Sequence, residues 1–176
     1  MSPGSWARLH LPGHILLVEA DEASRPFAER LYFDTMRPLL ERLEAWDEPG
    51  MIAHFRAGFV PAQVRLICVG QTRVGYLQVE EADRVLIIFQ AHLVPAARNR
   101  GTGTAIFRAL LNHAAIQSKD VLLSVLRNNP VIALYRRLGF DVEAEDEIRL
   151  HMRWRAIQPP AAAALELGSP DPKHLA

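Results

Sequence analysis

The chain is poor in cysteine and lysine and carries no net charge: Cys68 is the single cysteine, Lys119 and Lys173 are the lysines, and 20 Lys and Arg balance 20 Asp and Glu over 176 residues. One cysteine excludes an intrachain disulfide and the paired cysteines of redox and zinc motifs, and it suits a reducing compartment. Cys68 itself lies in an apolar run and is expected to be a buried structural thiol rather than a nucleophile. The balanced charge argues against a chain-wide basic footprint, so no nucleic acid and no anionic membrane is expected as a partner, although a neutral total can hide local patches. No segment approaches 18 uninterrupted apolar residues, and residues 1–13 hold no stretch long enough for a signal-peptide core, so a cytoplasmic protein is expected. His10, His14, His54, His113, His151 and His174 lack paired metal-ligand spacing, and no metal is expected.

What is present is a chain that is 49% hydrophobic, of a length that suits one core with tails. Residues 1–13 read as a loose N-terminal segment and residues 14–157 as a single domain. Residues 158–176 mix paired prolines, an alanine run and further Pro and Gly, and are expected to form a disordered tail. Within the domain the pattern alternates. HILLVEA suggests a strand, and Asp21 to Trp46 reads as helical, with Pro26 in a first turn and a second start near Thr35 and Pro38. A break at Asp47 to Gly50 precedes the amphipathic piece MIAHFRAGF. The runs VRLICV, RVGYLQVE and RVLIIFQAHLV then predict an antiparallel meander. Ile106, Phe107, Leu110, Leu111 and Ala114 recur at helical spacing, VLLSV is a short strand, and Val131, Leu134, Tyr135 and Leu138 stripe a helix that Gly139 stops. Strands around DVEAE and EIRLHMRW complete the order β-α-α-β-β-β-α-β-α-β-β, an α/β fold built on a mixed sheet.

The stretch Leu93 to Thr104, LVPAARNRGTGT, takes a strand into a loop with two close glycines and then into a helix N-terminus. Amide N–H groups without an intrahelical partner point outward there, and the helix dipole favours negative charge, which makes a phosphate cradle. Arg98 and Arg100 add charge at its rim. The loop lacks the spacing and lysine of a P-loop, and Ile106 stands where a dinucleotide fingerprint needs its third glycine.

Arg98-Asn99-Arg100-Gly101-Thr102-Gly103 fits Arg/Gln-x-x-Gly-x-Gly/Ala after a strand and a proline. About 25 residues later comes Asn128-Asn129-Pro130-Val131-Ile132-Ala133-Leu134-Tyr135-Arg136-Arg137-Leu138-Gly139-Phe140. In order and spacing these resemble the two signature segments of the GNAT superfamily of acyl-CoA-dependent N-acetyltransferases, and the resemblance extends over residues 14 to 154. It implies a mixed, mostly antiparallel central sheet flanked by helices, with strands 4 and 5 splayed. It also implies acetyl transfer from acetyl-CoA to a primary amine, by direct attack within a ternary complex. A non-catalytic acyl-CoA-binding or regulatory module is the alternative on the same fold. The acceptor is left open between a small molecule and a peptide or protein, and such folds often pair as homodimers.

By position, the resemblance places the cofactor pyrophosphate on Arg98, Asn99, Arg100, Gly101, Thr102, Gly103 and Thr104. It places pantetheine on main-chain groups of Leu93 and Val94, and a further cofactor contact on Asn128. Tyr135 takes the place of the general acid that protonates the departing thiolate, although its position on an apolar stripe also suits plain packing. The base is open: His92 and Gln90 share a face of the strand entering the loop, and Glu80 and Glu81 end the strand before it. His92 is the candidate base or water-positioning group. The acceptor side falls on the first helices, where Tyr32, Trp46, Asp47 and Glu48 are candidate contacts, carboxylates beside aromatics suiting a cation. The charge divides accordingly. Residues 91–140 hold seven basic side chains and one acid, whereas residues 17–49 hold nine acids and four arginines, which suggests an acidic acceptor mouth.

Overall fold

Period-two alternation in the β-rich runs gives each strand two usable faces, and the sheet they form is covered by helices on both. The computed structural model describes residues 5–156. Its strands are β1 (Ile15–Glu19), β2 (Val64–Val69), β3 (Thr72–Glu81), β4 (Val85–Leu93), β5 (Asp120–Leu126), β6 (Asp141–Glu145) and β7 (Arg149–Trp154). They form one seven-stranded sheet in the order β1-β2-β3-β4-β5-β7-β6. Every neighbouring pair is antiparallel except β4 and β5, which run parallel. The helices are α1 (Arg25–Glu41), α2 (Glu48–Gly58), α3 (Thr102–Ile116) and α4 (Ile132–Arg137). The element order is the one expected, and the mixed, mostly antiparallel sheet flanked by helices is the one the resemblance implied.

Alternation sorts the core into two layers. Tyr76 of β3 and Val64 and Leu66 of β2 pack with Leu31, Tyr32 and Leu40 of α1 and Phe55 of α2. Leu77 and Val79 of β3, one residue out of phase with Tyr76, pack on the other side with Ile106, Phe107 and Leu110 of α3 and Tyr135 of α4. Leu110, Ala114 and Val121 are fully buried there. Burying a side chain the size of Leu110 contributes about 1.5–3 kcal/mol.

Two boundaries differ from the sequence reading. Pro38 lies inside α1, so one helix runs to Glu41 where a second start was expected. Its ring removes one backbone donor, and the buried stripe of Ala28, Leu31, Tyr32, Met36 and Leu40 holds the helix through it. The N-terminal segment is also not wholly loose. A 3-10 turn over Ser5–Arg8 buries Trp6 in the α3-side layer, where the Arg65 guanidinium lies 5.4 Å from its ring centre. The tail expected over residues 158–176 lies outside the described residues. No helix among the described residues is long and apolar enough to cross a membrane.

Candidate functional site

A fork in the sheet organises the site. β4 and β5 pair from Val85 with Asp120 to Ile88 with Leu123, and the pairing ends there although both strands continue. The next residue, Phe89, is the extra residue of a bulge in β4: Gln78 faces Gln90, while Val79 faces Ile88. A bulge bends its strand, and here the bend coincides with the end of β4–β5 pairing. Past it, the Val94 N–H donates to Val74 O at 2.8 Å. Counting back in twos, His92 and Gln90 direct their main-chain groups to β3, leaving those of Ala91 and Leu93 for the gap. The Leu93 carbonyl accepts from Arg98 Nε at 2.8 Å.

At the mouth of this fork the glycine loop meets α3. Gly101 has φ +84°, a left-handed turn that caps the helix without a side-chain hydrogen bond, and Asn99 is also left-handed at φ +57°. The first intrahelical bond runs from Ala105 N to Gly101 O at 2.9 Å, so the amides of Thr102, Gly103 and Thr104 precede the ladder. A Cβ built on Gly103 would meet only Leu93 Cδ1, at 3.7 Å. At Gly103 the loop therefore leaves room for a ligand beside amides that precede the helical ladder. Arg98 folds back along it and also reaches Thr35 Oγ1 of α1 at 3.3 Å.

The fork opens onto a cleft of about 820 Å³. Its walls include Phe89 to His92 of β4, Leu122 to Leu126 of β5, Tyr135 of α4, Tyr32 and Met36 of α1, and Arg149, His151 and Arg153 of β7. Tyr135 is buried, its ring 5.0 Å from Phe107 and 5.8 Å from Phe140. Burial pushes its phenol above the usual range, so it is a neutral donor throughout the working pH range. His92 is buried between Tyr76, stacked at 5.2 Å, and Tyr32, edge-on at 5.7 Å. Burial, with the Arg98 charge adding to it, lowers its pKa from 6.5 to about 3. Its Nε2 lies 2.8 Å from Gln90 Oε1, and Nδ1 is buried without a partner among the described residues. His92 is therefore a neutral imidazole at physiological pH. Tyr32 is buried too, which raises its phenol.

Other sequence candidates stand apart from the cleft. Trp46 packs edge-on against Phe33 and under the Arg37 guanidinium. Asp47 occupies the N-cap position of α2 without a side-chain capping bond, and Glu48 lies 3.9 Å from Arg37. Asn128 donates through Nδ2 to Leu39 O at 2.9 Å, tying the end of β5 to α1, and is not on the cleft wall. None of the nine acids of residues 17–49 lines the cleft, contrary to the acidic mouth expected from segment charge. Glu41 and Glu29, for example, pair outward with Arg37 and Arg56. The wall carries Glu80 and Glu143 against Arg149 and Arg153. Glu80 accepts from Gln63 Nε2 at 3.1 Å, whereas Glu81 is engaged by Lys119, His113 and the Trp6 amide. Cys68 is half-buried on β2.

The sequence reading missed the far wall. Ser124 and His151 face each other across the β5–β7 pair, and Asp146 stands behind His151. A lone serine in VLLSV and a histidine in the otherwise ordinary strand RLHMRW were the available signals.

Residues 62–142 match the family model described as an acetyltransferase (GNAT) domain, a range that contains both signature segments. Among curated proteins none matches the sequence. Solved structures share the fold. A PaiA N-acetyltransferase from Thermoplasma acidophilum, in complex with coenzyme A, is 15% identical with a TM-score of 0.61, over 80% of this chain and 98% of that one. An acetyl transferase from Salmonella typhimurium that modifies the N-terminal serine of a 50S ribosomal subunit protein is 18% identical with a TM-score of 0.60, over 85% and 99%. Arabidopsis thaliana Naa50, in complex with the bisubstrate analogue CoA-Ac-MVNAL, is 15% identical with a TM-score of 0.55, over 80% and 98%.

Proposed function

From the match of residues 62–142 to a GNAT acetyltransferase domain and from the fold shared with solved acetyltransferases, we infer that the chain transfers an acetyl group from acetyl-CoA to a primary amine by direct attack in a ternary complex. The observation that carries this reading is the fork. It joins a run of unpaired helix amides outside the sheet to a cleft on the face that α1 and α2 flank, so two substrates can reach one point from opposite sides. The amides of Thr102 to Thr104, with Arg98 to Gly101, suit a pyrophosphate, and an added Cβ at Gly103 has space only while nothing lies there. Main-chain groups of Ala91 and Leu93 suit the pantetheine amides. Val94 is less apt, its N–H being spent on Val74. An N–H facing the gap also suits the oxyanion formed when an amine attacks a thioester.

Tyr135 lines the cleft and supplies the proton donor. A thiolate whose conjugate thiol has a pKa of about 8.5 takes a proton from a phenol of pKa about 10 only uphill, and burial makes the phenolate costlier still. Tyr135 therefore acts best as a hydrogen-bond donor to the departing sulfur, with the proton completed from solvent or product. The acceptor amine enters along Tyr32 and the polar wall of β4 and β5. The Salmonella and Arabidopsis neighbours act on, or are bound to, a protein N-terminus or a peptide analogue. A peptide α-amine, with a pKa of about 7.7–8.0, is partly free base at neutral pH, so peptides come first in the panel.

The test has two steps. Acetyl-CoA at 100 times its Kd is expected to add about 2.7 kcal/mol of stability, a rise of roughly 5–10 °C in Tm. Thiol release that depends on an added amine then establishes transfer. A thermal shift without release from any peptide, polyamine or amino-acid amine establishes the non-catalytic module instead. No shift at all removes both readings.

A further inference from the structure

Resting on the transferase reading, we propose that Ser124, His151 and Asp146 form a proton relay that takes the proton from the attacking amine. Ser124 follows Leu123, the last residue of β5 paired with β4, so it stands at the crotch of the fork and on the cleft wall. Its Oγ lies 2.6 Å from His151 Nδ1, and His151 Nε2 lies 3.2 Å from Asp146 Oδ2. Asp146 is held by its own turn: Oδ1 accepts the amides of Ile148 at 2.9 Å and Arg149 at 2.8 Å. Those bonds, with the one from His151, keep its carboxyl below the usual range.

The direction of the chain follows from its end. An ionised carboxylate only accepts, so His151 carries its hydrogen on Nε2 and presents a bare lone pair at Nδ1. Ser124 must then donate its hydroxyl hydrogen to Nδ1, which leaves the Oγ lone pairs for a donor in the cleft. This is the logic of a serine–histidine–carboxylate set, with the two ring nitrogens exchanged. His92, the base expected from sequence, is the poorer acceptor: its Nε2 is bonded to Gln90, and burial, which lowers its pKa to about 3, weakens the lone pair left at Nδ1.

The proposed step balances. The amine nitrogen bonds to the thioester carbonyl carbon and the carbon–sulfur bond breaks. The bound ammonium first passes one proton to Ser124 Oγ while the Ser124 hydroxyl proton passes to His151 Nδ1, which frees the amine lone pair for attack, and the second proton nitrogen loses goes to the departing thiolate. The imidazolium rests against Asp146, and His151, with its side chain 44% exposed, returns the proton to solvent. The thiolate takes up one proton, assisted by Tyr135, so the products are an amide and a thiol.

The relay predicts a loss that depends on the basicity of the amine. Ser124→Ala, His151→Gln and Asp146→Asn are assayed with an alkyl amine of high pKa and a weakly basic amine that is already free base at neutral pH. With the alkyl amine kcat is expected to fall roughly 100-fold, with the weakly basic amine only a few-fold, and the acetyl-CoA thermal shift is expected to be unchanged. Ser124→Thr, which restores a hydroxyl on a strand, is expected to recover most of the rate. Asp146→Asn keeps the turn but offers His151 a donor in place of an acceptor, reversing the tautomer, so its rate loss separates proton transfer from loop structure. Equal losses with both amines, or none, overturn the relay while leaving a transferase. Mass spectrometry that finds acetyl on Ser124 overturns it in favour of an acyl-enzyme. A wild-type chain with no amine-dependent thiol release overturns the transferase reading and the relay together.

Discussion

Gly103 and Leu93 stand just clear of one another, a Cβ on Gly103 lying 3.7 Å from Leu93 Cδ1, so the fold itself does not require glycine there. Gly103 is also absent from the left-handed positions, and alanine is a better helix residue by about 1 kcal/mol. Gly103→Ala is expected to hold or slightly raise Tm. It is also expected to weaken acetyl-CoA binding at least ten-fold, because the new methyl group occupies the space in front of the helix amides. Calorimetric titration beside a melt reads both, and unchanged affinity would remove the loop from cofactor binding. Gly101→Ala gives the contrast: at φ +84° a side chain costs roughly 1–2 kcal/mol, and Tm falls before any ligand is added.

Tyr135→Phe removes one oxygen and keeps the ring against Phe107 and Phe140. Stability is expected to change by less than about 1 kcal/mol. kcat is expected to fall roughly 10- to 100-fold, with KM for acetyl-CoA nearly unchanged, because the hydroxyl serves a charge that appears only as sulfur departs. A kcat equal to wild type from pH 6 to 9 would reduce Tyr135 to a packing residue.

The element order was legible because helical and strand periods differ and glycine and proline mark their ends. The cradle was legible because it is contiguous: Arg98 to Thr104 is one loop and its helix. The cleft was not, because it is made by pairing. Ser124 and His151 meet only once β5 lies antiparallel to β7, and nothing in VLLSV or HMRW names the other. Asp146 joins them because a turn closes between β6 and β7. The acidic mouth expected from residues 17–49 failed for a related reason. A segment's charge is written in its sequence, but the helix face that carries it is not, and Glu29 and Glu41 turn outward to Arg56 and Arg37. His92 was legible as a residue of the site, but the burial against Tyr76 and Tyr32 that lowers its basicity was not, because it comes from the fold.

Asn128 separates resemblance from geometry. Its amide donates to Leu39 O, which anchors α1 to the end of β5 across 89 residues of chain. Asn128→Ala is expected to cost about 1–2 kcal/mol, lowering Tm by roughly 2–8 °C, while the rise caused by acetyl-CoA stays the same size. Melts with and without the ligand measure both. A ligand response lost at unchanged intrinsic Tm would return Asn128 to the cofactor side.

His92 imposes a pH dependence on folding whose sign follows from its lowered pKa. The unfolded chain binds a proton on this imidazole below about pH 6.5, and the folded chain refuses it until about pH 3. Stability from this group is thus complete above pH 6.5 and declines as pH falls through the window to 3, by about 1.4 kcal/mol per unit once the unfolded form is protonated. His92→Phe retains an aromatic ring between Tyr76 and Tyr32 and removes the titration. Its ΔG is expected to be lower than wild type at pH 7, because Gln90 loses a partner, and the gap is expected to close or reverse by pH 4.5. Urea titrations of both proteins at pH 7, 5.5 and 4.5 give the comparison. Parallel pH profiles would mean that the imidazole is protonated in the folded protein. A charged, hydrated His92 would then again be able to trade protons with a substrate in the cleft.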